Sequence, residues 1–113
     1  MSRWQRVCRL DDLLPDRGAA ALVGGIQIAL FRSATGERVH AVGHRDPFSG
    51  ANVMARGLVG TRQGVPTVAS PMHKQTFDLV TGLCLDDPEV GLDVWPTRIM
   101  DGWVEIGTTG TDR

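Results

Sequence analysis

Apolar and polar residues alternate with a period of two in short runs, and glycine-containing turns separate the runs. Such a pattern predicts strands with one buried and one exposed face. Trp4, Arg6 and Cys8 alternate with Gln5 and Val7, which predicts a first strand over residues 4–8. Residues 10–15 predict at most one turn of helix, which Asp11 or Asp12 can cap and Pro15 stops. The runs 19–23 and 26–31 are joined by Gly24-Gly25. Two glycines between apolar runs predict a type I′ hairpin, because both turn positions need positive φ. Residues 33–37 predict a turn. The strand after it, residues 38–42, places Val39 and Ala41 on one face and His40 on the other.

Residues 44–57 lack periodicity and predict a long loop, the kind of segment that often carries function. Residues 58–61 and 65–69 flank Arg62-Gln63-Gly64, another hairpin. Pro66 has no N–H and needs a position at a sheet edge or a strand start. Residues 76–79 predict a strand with Phe77 and Leu79 on one face, a turn at Thr81-Gly82, and resumption at Leu83. Residues 86–91 read as an acidic exposed loop, expected away from the end that carries residues 44–57 and 70–78. Residues 92–100 read as a strand broken at Pro96, and Asp101-Gly102 turns the chain into a last strand over 103–106. Many short strands with turns about every eight to twelve residues predict an all-β antiparallel sandwich or barrel.

A chain of 113 residues predicts one domain. It is placed over residues 1–107, with a flexible polar tail over 108–113. The formal net charge of −1 leaves no basic excess for phosphate contacts, which argues against a nucleic-acid partner. No apolar run approaches the ~20 residues of a membrane span, and Met1 to Arg6 lack the apolar segment of a signal peptide. A cytoplasmic location, without membrane contact, is the expectation. Cys8 and Cys84 lie far apart, neither with a second ligand at short spacing, and read as free thiols. Trp4, Trp95 and Trp103 are expected in or beside the core.

Two loops carry the chemistry. The second reads Ser70-Pro71-Met72-His73-Lys74-Gln75-Thr76-Phe77-Asp78, and the first reads Asp46-Pro47-Phe48-Ser49-Gly50-Ala51-Asn52-Val53. They resemble the ligand loops of Rieske proteins, which read Cys-Pro-x-His-Gly-x-x-Phe-Asp and Cys-Pro-His-x-Gly-Ala-x-Leu. Pro71, His73, Phe77 and Asp78 are in step with one, and Pro47, Gly50 and Ala51 with the other. Asp46, Phe48 and Ser70 stand where two thiolates and an imidazole bind a [2Fe–2S] cluster. Of the four ligand positions, His73 alone keeps its ligand type. The two loops, with Arg56-Gly57-Leu58-Val59-Gly60 and Ala69-Ser70-Pro71, are similar to the small subunit of assimilatory NADH-dependent nitrite reductase.

That resemblance implies a Rieske-like fold and a role in reducing nitrite to ammonium. It implies no cofactor or metal on this chain and no catalytic residue of its own. FAD, [4Fe–4S] and sirohaem are implied on a large subunit, the expected partner. NADH versus NADPH preference stays open. The alternative is a Rieske-type [2Fe–2S] ferredoxin, opposed by the missing thiolates. Two other residue sets have the right types: His44, Asp46 and His73 for a mononuclear iron site, and Ser70, His73 and Asp46 for a hydrolytic triad, which lacks a nucleophile elbow. Phe48 admits two roles, filler of the vacated cluster cavity or part of an apolar docking patch. Candidate docking residues are Arg45, Arg56, Met72, His73 and Lys74, a composition typical of interfaces.

Overall fold

The computed structural model describes residues 2–72 and 74–109. Ten strands form: β1 (Ser2–Arg9), β2 (Gly18–Val23), β3 (Ile26–Arg32), β4 (Val39–Gly43), β5 (Leu58–Arg62), β6 (Val65–Ala69), β7 (Thr76–Asp78), β8 (Val94–Trp95), β9 (Thr97–Met100) and β10 (Trp103–Thr109). They make three antiparallel sheets, in the orders β1-β10-β9, β2-β3-β4-β8 and β5-β6-β7. Among the described residues, helical structure is confined to single 3₁₀ turns at Leu10–Asp12 and Met54–Arg56. The chain is thus an all-β assembly, as the alternation predicts. Among the described residues no helix is long and apolar enough to cross a membrane.

The turns follow from backbone chemistry. Gly24 and Gly25 sit at φ 57° and 84°, and Asp101-Gly102 at 54° and 81°, the left-handed region that type I′ hairpins require. Gln63-Gly64 does the same at 53° and 82°. Pro66 is the second residue of β6, which is the central strand of its sheet rather than an edge. It lies opposite Thr61 in the β5 ladder, and on the β7 side only its carbonyl is used, accepting from the Leu79 N–H at 3.0 Å, so no ladder N–H is missed there. Pro96 does more than break a strand. Before it, β8 pairs with β4; after it, β9 pairs with β10, so the chain changes sheet at the proline.

Two apolar clusters fill the interior. One gathers Ala29, Phe31, Val42, Met54, Val68, Phe77, Leu79, Cys84 and Leu92 beneath the two loops; the other gathers Leu13, Val23, Ile28, Leu30, Val39, Ala41, Val104 and Ile106. Trp95 packs against the second cluster. The other two tryptophans do not enter the core. Trp4 is 38% exposed and lies under the Arg98 guanidinium at 4.3 Å. Trp103 lies between Arg6 and Arg9 at 5.1 and 5.0 Å. Stacked guanidinium groups cover these rings where buried neighbours were expected. Glu105, on the same strand, accepts from Arg98 at 2.7 Å and Arg6 at 3.3 Å. Strand β10 reaches Thr109, so two residues of the expected tail pair with β1; residues 110–113 lie outside the described part.

Candidate functional site

Strand β4 delivers the first loop. Its last residue, Gly43, donates to the Asp93 carbonyl at 2.9 Å. His44 then fastens the loop's start to its end. The His44 carbonyl accepts from the Met54 N–H at 3.0 Å, and its Nδ1 accepts from the Ala55 N–H at 3.1 Å. A ring that accepts at Nδ1 is neutral and carries its proton on Nε2. Burial, and then the charge of nearby Arg56, lower the His44 pKa, which favours that neutral form. His44 is therefore engaged in holding the loop. The iron set imagined with Asp46 and His73 loses this nitrogen, and among the described residues no three His, Cys, Asp or Glu side chains gather to hold a metal.

Asp46 and Ser70 are the centre of the site. Their residues expose 0% and 1% of their surfaces. The Ser70 hydroxyl donates to Asp46 Oδ2 at 2.6 Å, joining the two loops in the interior. Each side chain also shapes its own loop. Asp46 Oδ1 accepts from the N–H of Phe48 at 2.9 Å, and Ser70 Oγ accepts from the N–H of Met72 at 3.2 Å. Both are turns in which a short polar side chain captures the amide two residues on. Main-chain bonds complete each loop: Gly50 N–H to Asp46 O at 2.7 Å, Asp46 N–H to Ala51 O at 2.8 Å, Lys74 N–H to Ser70 O at 2.9 Å and Ser70 N–H to Gln75 O at 2.9 Å. Burial is the largest single influence on the Asp46 carboxyl and raises its pKa. Hydrogen bonds from Ser70, Phe48 and Ser49 together outweigh it, so the net shift is downward and the group is ionised.

These side chains do not fit a cluster that needs two thiolates. Asp46 and Ser70 occupy the thiolate positions and are bonded to each other. Cys84 is buried opposite Phe77, and Cys8 sits on β1 opposite Val104 in another sheet. The hydrolytic triad also fails to assemble from described residues. The Ser70 proton points at Asp46, and His44 is bonded to Ala55. His73 lies outside the described residues.

Phe48 is divided between the core and the surface. Its ring packs against fully buried Phe77, with centroids 6.2 Å apart, yet Phe48 remains 38% exposed. It caps the core and presents a face to solvent, which is compatible with either role. Pro47, Pro71, Met72, Arg45, Arg56 and Lys74 are all exposed. Lys74 stands where the Rieske pattern has glycine, and it keeps the glycine-like backbone at φ 63°.

The acidic loop is nearer than the sequence suggests. Expected to lie away from this end, it forms the tip of a hairpin that runs alongside the second loop. Phe77 bridges to Cys84, and Leu83 to Gly91. The Leu85 N–H donates to the Thr76 carbonyl at 2.7 Å, and Asp86 Oδ2 accepts from the Thr76 N–H at 2.9 Å. Thr76 begins β7, where the second loop ends. A cleft of about 370 Å³ lined by Gly43, Arg45, Pro47, Gly91, Leu92 and Asp93 separates the first loop from the base of this hairpin. Arg45 and Pro47 were singled out in the sequence, whereas Gly43, Gly91, Leu92 and Asp93 were missed, because the pairing that brings them here is not local.

The chain matches the Rieske-like [2Fe-2S] domain family over residues 3–107. It is 43% identical over 106 residues to the small subunit of nitrite reductase (NADH) from Salmonella typhimurium, covering 94% of this chain and 98% of that protein. The crystal structure of a protein described as an NADH-dependent nitrite reductase small subunit from Mycobacterium tuberculosis superposes with a TM-score of 0.92 at 46% identity, covering 98% and 99% of the two chains. A segment of the nitrite reductase [NAD(P)H] large subunit of Klebsiella oxytoca is 40% identical over 104 residues, which is 92% of this chain and 11% of that longer one.

Proposed function

The chain belongs to the Rieske-like [2Fe-2S] domain family and, within it, to the small subunits of NADH-dependent nitrite reductase, and on that footing we propose that it is a cofactor-free docking subunit of a cytoplasmic nitrite reductase. Its partner is the catalytic large subunit. Reduction of nitrite to ammonium proceeds there, on the FAD, [4Fe–4S] and sirohaem that the family resemblance implies. The small chain supports that reaction by binding. It presents Arg45, Phe48, Arg56, Met72 and Lys74 on two loops held rigid from within.

The observation that carries this reading is the buried Ser70–Asp46 hydrogen bond. It ties the two loops together with side chains that cannot serve as cluster thiolates, so loop geometry is kept while electron-transfer chemistry is not supported. Rigid loops lose little entropy on docking, which favours affinity. The Klebsiella chain supports the choice of partner, because there a similar segment is part of a large-subunit polypeptide. The test has two arms. Purified protein is expected to be colourless, and it should co-elute with separately purified large subunit and raise its NADH-dependent nitrite reduction. Visible absorbance with about two iron and two acid-labile sulfide per chain would overturn the cofactor-free reading, and absence of any complex would overturn the docking role.

A further inference from the structure

Resting on the docking reading above, we propose that the Leu83–Gly91 hairpin is a third docking element, and that the surface offered to the large subunit is two-signed, basic on the two loops and acidic on the hairpin. The hairpin is built as a fixed projection. Cys84 and Leu92, 2% and 9% exposed, anchor its base in the core. Its arms are joined by the Cys84 N–H to Val90 O bond at 2.9 Å. Its tip is closed by the Val90 N–H to Asp87 O bond at 3.0 Å and the Glu89 N–H to Asp87 Oδ1 bond at 3.1 Å. Asp86 fastens that tip to Thr76 at the foot of the second loop.

Apolar and acidic side chains are displayed together on this projection. Leu83 and Leu85 are 50% and 39% exposed, and Asp86, Glu89 and Asp93 are exposed with them. Arg45, Arg56 and Lys74 stand exposed on the adjoining loops. Yet the ion pairs among the described residues are Arg6–Glu105 and Arg98–Glu105, on a different sheet. Opposite charges thus sit on neighbouring loops of one end without forming ion pairs, and Phe48 and Met72 are exposed on the two basic loops. A rim of both signs favours one orientation of a complementary partner and penalises the reverse, where like charges meet. The partner surface is then an apolar patch flanked by acid opposite Arg45 and Arg56, and by base opposite Asp86 and Glu89. The large subunit is the occupant, because a domain like this one is continuous with it in the Klebsiella protein.

The experiment measures association of the full chain with purified large subunit at low and high salt. The acidic variant combines Asp86→Asn, which keeps an acceptor for Thr76, with Glu89→Lys. The basic variant combines Arg45→Glu with Arg56→Glu. The control is Glu37→Lys, in the β3–β4 turn at the opposite end of β4 from the first loop. Each rim variant is expected to weaken binding at low salt by about tenfold, mostly through the association rate, while the control stays within about twofold of wild type. A second acidic variant, Glu89→Lys alone, removes no structural hydrogen bond of its side chain and is expected to weaken binding in the same direction. If both acidic variants bind like wild type while the basic one weakens, the hairpin is outside the interface and this inference fails, though the docking reading stands. If wild type forms no complex, the docking reading itself has failed. If neither rim matters, the interface is elsewhere and both are overturned.

Discussion

The hydroxyl of Ser70 donates to Oδ2 of Asp46 across 2.6 Å, between two loops 24 residues apart in sequence. Both residues are buried, so the bond joins an ionised acceptor to its donor away from water. Removing the donor leaves a buried carboxylate with one fewer partner. A lost hydrogen bond to a buried charge costs about 1.5–3 kcal/mol. Ser70→Ala is therefore expected to lower the thermal midpoint by roughly 10 °C, measured by circular dichroism. Ser70→Thr, which keeps the hydroxyl, should lose clearly less. Equal loss from both would mean that packing, not this bond, holds the loops.

Acid should destabilise the fold through His44. Its folded-state pKa is depressed by burial and by Arg56, so the unfolded chain binds the proton more tightly. The stability tied to neutral His44 is complete above the unfolded value, begins to fall below about pH 6.5, and is gone once pH has dropped through the folded pKa. His40 is also depressed, by burial first and then by Arg38, and adds a fall of the same sign. Denaturant titrations between pH 7.5 and 5 should show His44→Gln with a flatter profile than wild type, and His40→Gln flattening it separately. Asp46, whose pKa is lowered overall, adds a loss that begins as pH falls to the ordinary carboxylate value and is complete once pH has dropped through its folded pKa.

Lys74 holds a left-handed backbone at φ 63°, a conformation costing about 1 kcal/mol for a residue with a Cβ. Lys74→Gly relieves that cost but loosens the unfolded chain by a similar amount. Its stability should match wild type within about 0.5 kcal/mol. Lys74→Val should lose more than 1 kcal/mol, because a β-branched residue tolerates positive φ least. Chemical denaturation gives the ranking. A glycine variant as unstable as the valine variant would mean that the lysine side chain itself holds the loop.

Gly82 places the acidic hairpin. It has φ 83°, and a Cβ there would lie 2.2 Å from the carbonyl oxygen of Leu92. Both backbone strain and a clash with main chain follow from any side chain. Gly82→Ala is expected to cost about 3 kcal/mol. Amide exchange should speed up at Cys84, Leu85 and Leu92, which bond across this region, more than at Val104 or Ile106 in the other core. Uniform loss of protection would show that the hairpin is not a separate unit.

Much of the fold is local and was legible. Gly24-Gly25, Gln63-Gly64 and Asp101-Gly102 mark three hairpins whose turn geometry depends on those residues alone. The break at Pro96 was legible too, but the proline cannot say that the halves join different sheets, since that depends on which strands stand nearby. The acidic loop was misplaced for the same reason: its position comes from Phe77 meeting Cys84, a tertiary pairing with no mark in composition. The outward tryptophans reflect arginines stacking from neighbouring strands. At the candidate site, Asp46 and Ser70 were visible as departures from the Rieske pattern. Their bond to each other was not, although an aspartate and a serine each sitting two residues before an amide they could capture was the available signal.

The tie between the loops has one more consequence. A structure stapled by a bound ligand is stabilised in proportion to the logarithm of that ligand's free concentration, and weakens when supply falls. The Ser70–Asp46 tie is made of side chains that travel with the chain, so its formation is unimolecular. Dilution, chelators and scarcity of metal do not enter its equilibrium. The end of the molecule formed by the two loops is closed as soon as the chain has folded, at any concentration, with no loading step in between.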